Sequence, residues 1–174
     1  VRKDTNLEQL EKLQPAFKPN GKVTAGNSSP LNAGASLVML MSGAKLKEYG
    51  LNPMSKIRGF GWAAVDPSIM GEGPVPATKK ALANTGLTTQ DIDLWEINEA
   101  FAVVPLNAMK EFSIPEEKVN VHGGAISIGH PLGASGARLA GTLSRTLQEK
   151  NRDTGVATLC VGGGQGYTMV LERV

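Results

Sequence analysis

From Lys56 onward, short apolar runs alternate with stretches of helical periodicity, and that alternation restricts the chain to an α/β architecture. The runs predict strands near Lys56 to Val65, Ile92 to Glu96, Val119 to Val121, Ala157 to Val161 and Tyr167 to Glu172. Pro76, tolerated in a first turn, and Gly86, suited to a helix end, bracket one helix between them. Leu139, Leu143 and Leu147 mark a second at four-residue spacing. Asn98 to Phe112 reads as a third, with Pro105 expected to kink it by removing the bond to the carbonyl of Phe101. The glycine-rich "GGGQG" (Gly162 to Gly166) between the last two strands predicts a tight hairpin.

Ahead of Lys56 the pattern changes. Leu7, Leu10 and Leu13 predict a short amphipathic helix stopped by Pro15, followed by turn residues in "KPNGK". "ASLVMLM" (Ala35 to Met41) suits a strand buried on both faces, although periodicity alone does not separate it from a buried helix. Ala44 to Tyr49 then reads as a helix stopping at Gly50, and the Asn52-Pro53 region is the expected domain boundary.

A length of 174 residues with 41% hydrophobic and 20% charged side chains is enough for a real core. Eighteen basic against 16 acidic residues, mixed along the chain, leave no continuous basic surface, so neither nucleic acid nor a membrane is an expected partner. The single cysteine, Cys160, excludes an internal disulfide framework and a multi-cysteine metal site, and a reducing compartment is the default. No apolar run approaches the roughly 18 residues of a membrane span. The terminal Glu172-Arg173-Val174 is neither a peroxisomal nor a retention signal. Because the sequence begins at Val1 in a polar stretch without an initiator Met, it is expected to be the C-terminal piece of a longer chain.

Three stretches carry candidate chemistry. His130 stands in "GHPLGASGAR" (Gly129 to Arg138), where Pro131 fixes the backbone and small residues let a helix start approach a neighbour closely. Such a mount can present an imidazole to a substrate, although a histidine taken alone is more often structural. His122 and His130 would lie about 26 Å apart in extended chain, which argues against a metal pair. Cys160 ends an apolar strand, where thiols are usually inert core residues. The following "VGGGQG" argues for chemistry, since a glycine loop can offer uncovered backbone N–H groups to an oxyanion. Asn98, opening "NEAFA", reads equally as an N-cap of the following helix. The glycine clusters lack dinucleotide-fold spacing, and no Walker lysine occurs.

Taken together, "NEAF", "NVHGGAISIGHPLGASGAR" and "CVGGGQG", preceded by "VTAGNSS" (Val23 to Ser29), resemble the C-terminal part of a thiolase over essentially the whole chain. The family are acyltransferases of fatty acid metabolism that condense two acyl-CoA thioesters or cleave a 3-ketoacyl-CoA. The resemblance implies a thiolase-like fold, with a five-stranded mixed sheet covered by helices, forming the C-terminal half of a two-domain α-β-α-β-α molecule. Residues 54–174 would be the C-terminal domain. Residues 1–53 would be the end of the connecting loop and the closing strand and helix of the N-terminal domain.

The resemblance also implies roles. His130 matches the histidine that activates a nucleophilic cysteine lying outside this sequence and helps bind the thioester oxygen. Cys160 matches the second cysteine, the acid/base at the α-carbon of the acceptor, with His130 expected to support its thiolate. Asn98 matches the asparagine that holds a water completing one oxyanion hole, and Gly162 the glycine whose N–H completes the other. Ser29 and Ala25 match pantetheine contacts, and Arg2 and Phe17 positions near the adenosine end. Gln9, Pro30 and Ala33 depart from the usual residues of that first segment, leaving the nucleotide contacts less closely matched. Acetyl-CoA, acyl-CoA and coenzyme A are the implied substrates, with no cofactor or metal. A thiolase N-terminal half and a homodimer or homotetramer are the implied partners, in the cytoplasm or an organelle. Two rivals stand beside this: a non-catalytic acyl-CoA-binding or scaffold piece, and a ketoacyl synthase, whose second centre typically uses two histidines and is disfavoured by Cys160.

Overall fold

In the computed structural model, which describes residues 2–174, one sheet organises the chain from Ser55 onward. Strands β1 (Ser55–Ala64), β2 (Leu94–Ile97), β3 (Thr154–Val161) and β4 (Gln165–Arg173) lie in the order β1-β4-β3-β2. β4 pairs antiparallel with β1 and β3, while β2 joins β3 in parallel, so the sheet is mixed. Helices α1 (Leu7–Glu11), α2 (Gly43–Tyr49), α3 (Pro74–Thr85), α4 (Val103–Phe112), α5 (Ala125–Ile128) and α6 (Leu132–Glu149) complete the elements that matter here.

The sheet is covered by α3 and α4 on one face and, over β2, β3 and β4, by α6 on the other. Ala81 and Leu82 of α3 and Val104 and Ala108 of α4 close over Trp95, Ile97, Val156, Cys160 and Val170. On the other face Leu139, Leu143 and Leu147 of α6 meet Leu94, Ala157 and Leu171. Each fully buried leucine contributes about 2 kcal/mol by leaving water. Their four-residue spacing points α6 at the sheet along its length, which fixes where its first turn arrives.

The expected fifth strand does not form. Val119 makes one isolated parallel bridge to Trp95, after which Asn120 adopts a left-handed backbone (φ 45°) and the chain turns away. The Asn120 amide replaces further ladder bonds, accepting from the Ile97 N–H (2.8 Å) and donating to the Ile97 carbonyl (2.9 Å). The sheet therefore has four strands.

Two further expectations are corrected. The helix of the "NEAF" stretch begins only at Val103, so Pro105 falls in its first turn, where no N–H is needed, and no kink is required. Ala102, not Asn98, is its N-cap. "ASLVMLM" forms no strand, with Leu37, Met39 and Leu40 each at least 75% exposed. A strand needs a neighbour for its backbone N–H and C=O groups, and among the described residues none lies beside it. The hairpin does form: Val161 faces Gln165, and Gly163 and Gly164, at φ 86° and 89°, make the turn.

Candidate active site

Parallel pairing of β2 with β3 carries one residue beyond the strand: the Asn98 N–H donates to the Thr158 carbonyl at 2.9 Å. Strand alternation sends Trp95 and Ile97 to the α3 and α4 face and Glu96 and Asn98 to the α6 face, where both are buried. Glu99 then turns the chain. Its carboxylate accepts from Asn120 Nδ2 (2.8 Å) and from the Ile126 N–H (3.0 Å), anchoring the loop that leads into α5.

That loop delivers the histidine. Gly129 ends α5 at φ 105°, and a Cβ there would collide with the Asn32 side chain. Asn32 Oδ1 accepts the His130 N–H at 3.0 Å, so a residue from the N-terminal segment fixes the histidine backbone. Gly129→Ala combines a φ that L side chains avoid with a steric conflict, and is expected to cost about 1–3 kcal/mol. Urea denaturation of the variant checks this, and an unchanged midpoint would refute the account of this turn.

The imidazole sits over the first turns of α6. Nδ1 lies 2.6 Å from Ser135 Oγ, which itself donates to the Pro131 carbonyl at 3.2 Å. Asn98 Nδ2 approaches Nε2 at 3.2 Å and Nδ1 at 3.5 Å. Arg138 reaches the same asparagine, with Nη2 donating to Oδ1 at 3.3 Å, while its Nη1 stands 3.7 Å from Glu96 Oε2. Ser135 and Arg138 are three residues apart on α6 and so share a face.

Electrostatics follow from this crowding. Burial and, secondarily, the Arg138 guanidinium hold the His130 pKa below its ordinary value, which leaves the ring neutral at pH 7. Burial pushes the Glu96 carboxyl up to about 7, against the lowering effect of Arg138 and reinforced by Glu99. A carboxyl raised in the folded state stabilises below its unfolded pKa, and this contribution is lost as pH rises through about 7. Glu96→Gln should remove that slope. Between pH 5 and 8 its unfolding free energy should gain on the wild type by on the order of 2 kcal/mol. Equal pH slopes in urea titrations would mean that Glu96 titrates as an ordinary carboxyl.

Cys160 lies across the sheet edge, at the end of β3, buried among the α3 and α4 side chains. Burial pushes its thiol up, and it makes no hydrogen bond to His130 among the described residues. Gly162 follows two residues later, exposed, with nothing within 4 Å of the point that a side-chain methyl would occupy. Its φ lies outside the left-handed region, so the fold makes no demand for glycine there.

The remaining expected residues are spread along one approach. Ser29 donates from both N–H (3.0 Å) and Oγ (3.2 Å) to the Ala100 carbonyl, two residues beyond Asn98. Ala25 is exposed in the same turn. Phe17 is exposed and sets its ring edge-on to Phe101, centroids 5.9 Å apart. Arg2 is exposed in the N-terminal segment. His122 stands apart, pairing with Glu149 at 3.3 Å in a depression that also includes Met54 and Arg145. Sequence reasoning missed Glu96, Glu99, Asn120, Asn32, Ser135 and Arg138. An acid inside the apolar strand "LWEI" was the available signal for Glu96.

Comparison with known proteins places this geometry. Residues 51–173 match the family model described as "Thiolase, C-terminal domain", and residues 1–44 match "Thiolase, N-terminal domain". The chain is 54% identical over 178 aligned residues to the 3-ketoacyl-CoA thiolase of Saccharophagus degradans, covering all of this chain and 46% of that one. It is 52% identical to the 3-ketoacyl-CoA thiolase of Marinobacter nauticus with the same coverage. The chain therefore spans about half the length of the curated relatives it matches. Among solved structures, the acetyl-CoA acetyltransferase of Bacillus anthracis superposes with a TM-score of 0.96 at 46% identity, covering 99% of this chain and 44% of the other. Human mitochondrial 3-ketoacyl-CoA thiolase in complex with CoA gives 0.91 at 40% identity, covering 100% and 44%.

Proposed function

This chain belongs to the thiolase family, and from that premise we propose that it supplies one side of a thiolase active site, acting with a thiolase N-terminal half that carries the nucleophilic cysteine. The reaction is Claisen condensation of two acetyl-CoA to acetoacetyl-CoA, or thiolytic cleavage of a 3-ketoacyl-CoA in reverse. The observation that carries this reading is the 3.2 Å approach of Asn98 Nδ2 to His130 Nε2, on a neutral, rigidly mounted imidazole.

In the first step neutral His130 takes the proton of the nucleophilic thiol at Nε2. The thiolate attacks the acyl-CoA carbonyl, and coenzyme A leaves with its sulfur taking the proton of the Cys160 thiol, which is left as the thiolate that serves as base in the second step. The imidazolium, with an Asn98-held water, faces the oxygen on which negative charge grows. In the second step Cys160 removes an α-proton from a second acetyl-CoA, and the resulting carbanion attacks the acyl-enzyme carbonyl, releasing the nucleophile. Gly162 offers its N–H to the tetrahedral intermediate, and its open surroundings leave room for the approach.

Ser29, Ala25, Phe17 and Arg2 are proposed to line the path of the coenzyme A arm. The Ser29 turn docks beside Asn98, which supports that assignment. The proposed division runs at 53/54, with residues 1–53 belonging to the N-terminal domain. The exposed Leu37 to Leu40 run and the outward Phe60 and Trp62 of β1, 62% and 60% exposed, offer apolar surface for that half and for a homodimer or homotetramer. Among the described residues no helix is long and apolar enough to cross a membrane. The cytoplasm is the proposed setting, in line with the bacterial relatives.

Incubation with acetoacetyl-CoA and coenzyme A tests this reading. The chain alone should form no acetyl-CoA, and addition of the complementary half should produce it. Turnover by the chain alone would make Cys160 the acyl carrier and overturn the assigned roles. A well-docked pair that binds coenzyme A without turnover would instead indicate a non-catalytic acyl-CoA-binding piece.

A further inference from the structure

We propose that Asn32 is a positioning residue for His130: through it, a segment of the N-terminal domain sets where the imidazole stands relative to a nucleophile carried by that same domain. The inference rests on the reading of His130 as the base of the first step, and it adds what places that base.

The bond crosses from one domain to the other. Asn32 lies within residues 1–44, matched to the N-terminal domain of the family, and His130 within residues 51–173, matched to the C-terminal domain. Asn32 Oδ1 accepts the His130 N–H at 3.0 Å, and among the described residues that N–H has no other partner. The helices on either side both stop short of it. α5 closes with the Gly129 N–H on the Ala125 carbonyl, and α6 opens with the Ala134 N–H on the Pro131 carbonyl, each at 2.8 Å. Pro131 between them has no N–H to give.

The hold extends beyond one bond. Contacts recur at every second residue of the segment, the period of a chain that presents one side to its neighbour. A Cβ added at Gly34 would lie 2.7 Å from Pro131 Cγ, so glycine is what lets the segment approach there. Ser36 Oγ donates to the Ala134 carbonyl at 2.6 Å, in the first turn of α6. Asn32, Gly34 and Ser36 thus follow the turn from His130 to Ala134. The intervening positions are open, with Leu31 100% and Leu37 88% exposed. That open side belongs against the complementary N-terminal half, so the half that brings the nucleophile also seats the hold on the base.

Asn32→Leu removes the acceptor at nearly unchanged size, and Asn32→Asp keeps it. In the chain itself, hydrogen exchange of the His130 amide should quicken about five-fold or more in the leucine variant, the weight of one ordinary hydrogen bond. It should stay slow in the aspartate variant. The ring should follow the backbone. Burial and the Arg138 guanidinium hold the His130 pKa below its ordinary value, and a loosened turn should let it rise towards that value in Asn32→Leu. The His122 ring, beside Glu149, serves as the reference for changes that are not local. A purely structural role for Asn32 would leave the His130 titration where it is. An amide that exchanges as in the wild type, or a faster amide with an unmoved imidazole, overturns the proposal. If Asn32→Leu does not fold, Ser36→Ala, which frees the segment at its other bond, should show the same changes at smaller size, and their absence overturns the proposal equally.

These readouts need no turnover. Both changes in a chain whose wild type gains no activity with its complementary half would sink the proposed function and leave the hold of Asn32 on His130 standing. In an active reassembled enzyme, Asn32→Leu should lower kcat about 10-fold with little change in KM, because the base shifts from the nucleophile while the substrate path does not. An unchanged kcat there would leave the function standing and overturn this inference.

Discussion

Replacing Cys160 with serine in the reassembled enzyme is expected to lower exchange of the α-hydrogens of acetyl-CoA by about 10²–10⁴-fold, the usual weight of a positioned general base. Serine keeps the size of the buried side chain while moving its pKa far beyond useful basicity at pH 7. Acyl transfer onto the nucleophile of the complementary half should survive, because His130 and Asn98 are untouched and coenzyme A can leave as the thiolate. Trapping labelled acetyl-enzyme follows the first step, and deuterium uptake from solvent follows the second. Equal losses in both would put Cys160 in the fold or on the nucleophile's side. Exchange at the wild-type rate would remove it from the mechanism. Burial pushes the pKa of this thiol up, so its basicity depends on the assembled site.

Asn98→Asp should cost about 10²–10³-fold in kcat, comparable with loss of one oxyanion-hole donor. The substitution is nearly isosteric and keeps an acceptor for Arg138, so the guanidinium remains paired while the donor directed at His130 disappears. A carboxylate at that position favours the imidazolium, so the His130 titration should move from below its ordinary value to above it. Kinetics and a histidine titration read the two effects separately. A normal rate with a raised His130 pKa would mean that the asparagine donor is dispensable. A lost rate with an unmoved pKa would mean that the introduced carboxylate does not face the ring.

The α/β layering and the long helices were legible because Leu139, Leu143 and Leu147, and the Pro76 to Gly86 bracket, carry local signals that agree with their packing. His130, Cys160, Asn98 and Gly162 could be singled out because each sits at an element end in an unusual local context. What failed had a tertiary cause. Val119 to Val121 has strand-forming valines, but Asn120 uses its side chain where a ladder would use backbone. Ala35 to Met41 has the composition of a buried strand without a neighbour to pair it. The Arg138, Glu96 and Ser135 cluster was hidden for another reason. Its members come from β2 and α6, about 40 residues apart, and only the antiparallel packing of α6 against β2 brings them together.

The fastening of Asn32 to the His130 backbone sets the order in which the molecule can be assembled. The bond from Asn98 to His130 closes 32 residues, whereas the one from Asn32 closes 98, as does the bond from Ser36 Oγ to the Ala134 carbonyl. Loop-closure entropy makes the longer loops about 1 kcal/mol costlier to close in an open chain. Contacts of high sequence separation are rewarded only after the intervening elements have condensed. Strands β2 and β3 and the α6 between them are therefore placed to form first, with β1 and the N-terminal segment, which close longer loops, arriving later, the latter to clamp the histidine turn. Chemical competence would trail global compaction during refolding, and an early collapsed state would hold its imidazole on an unfastened hinge.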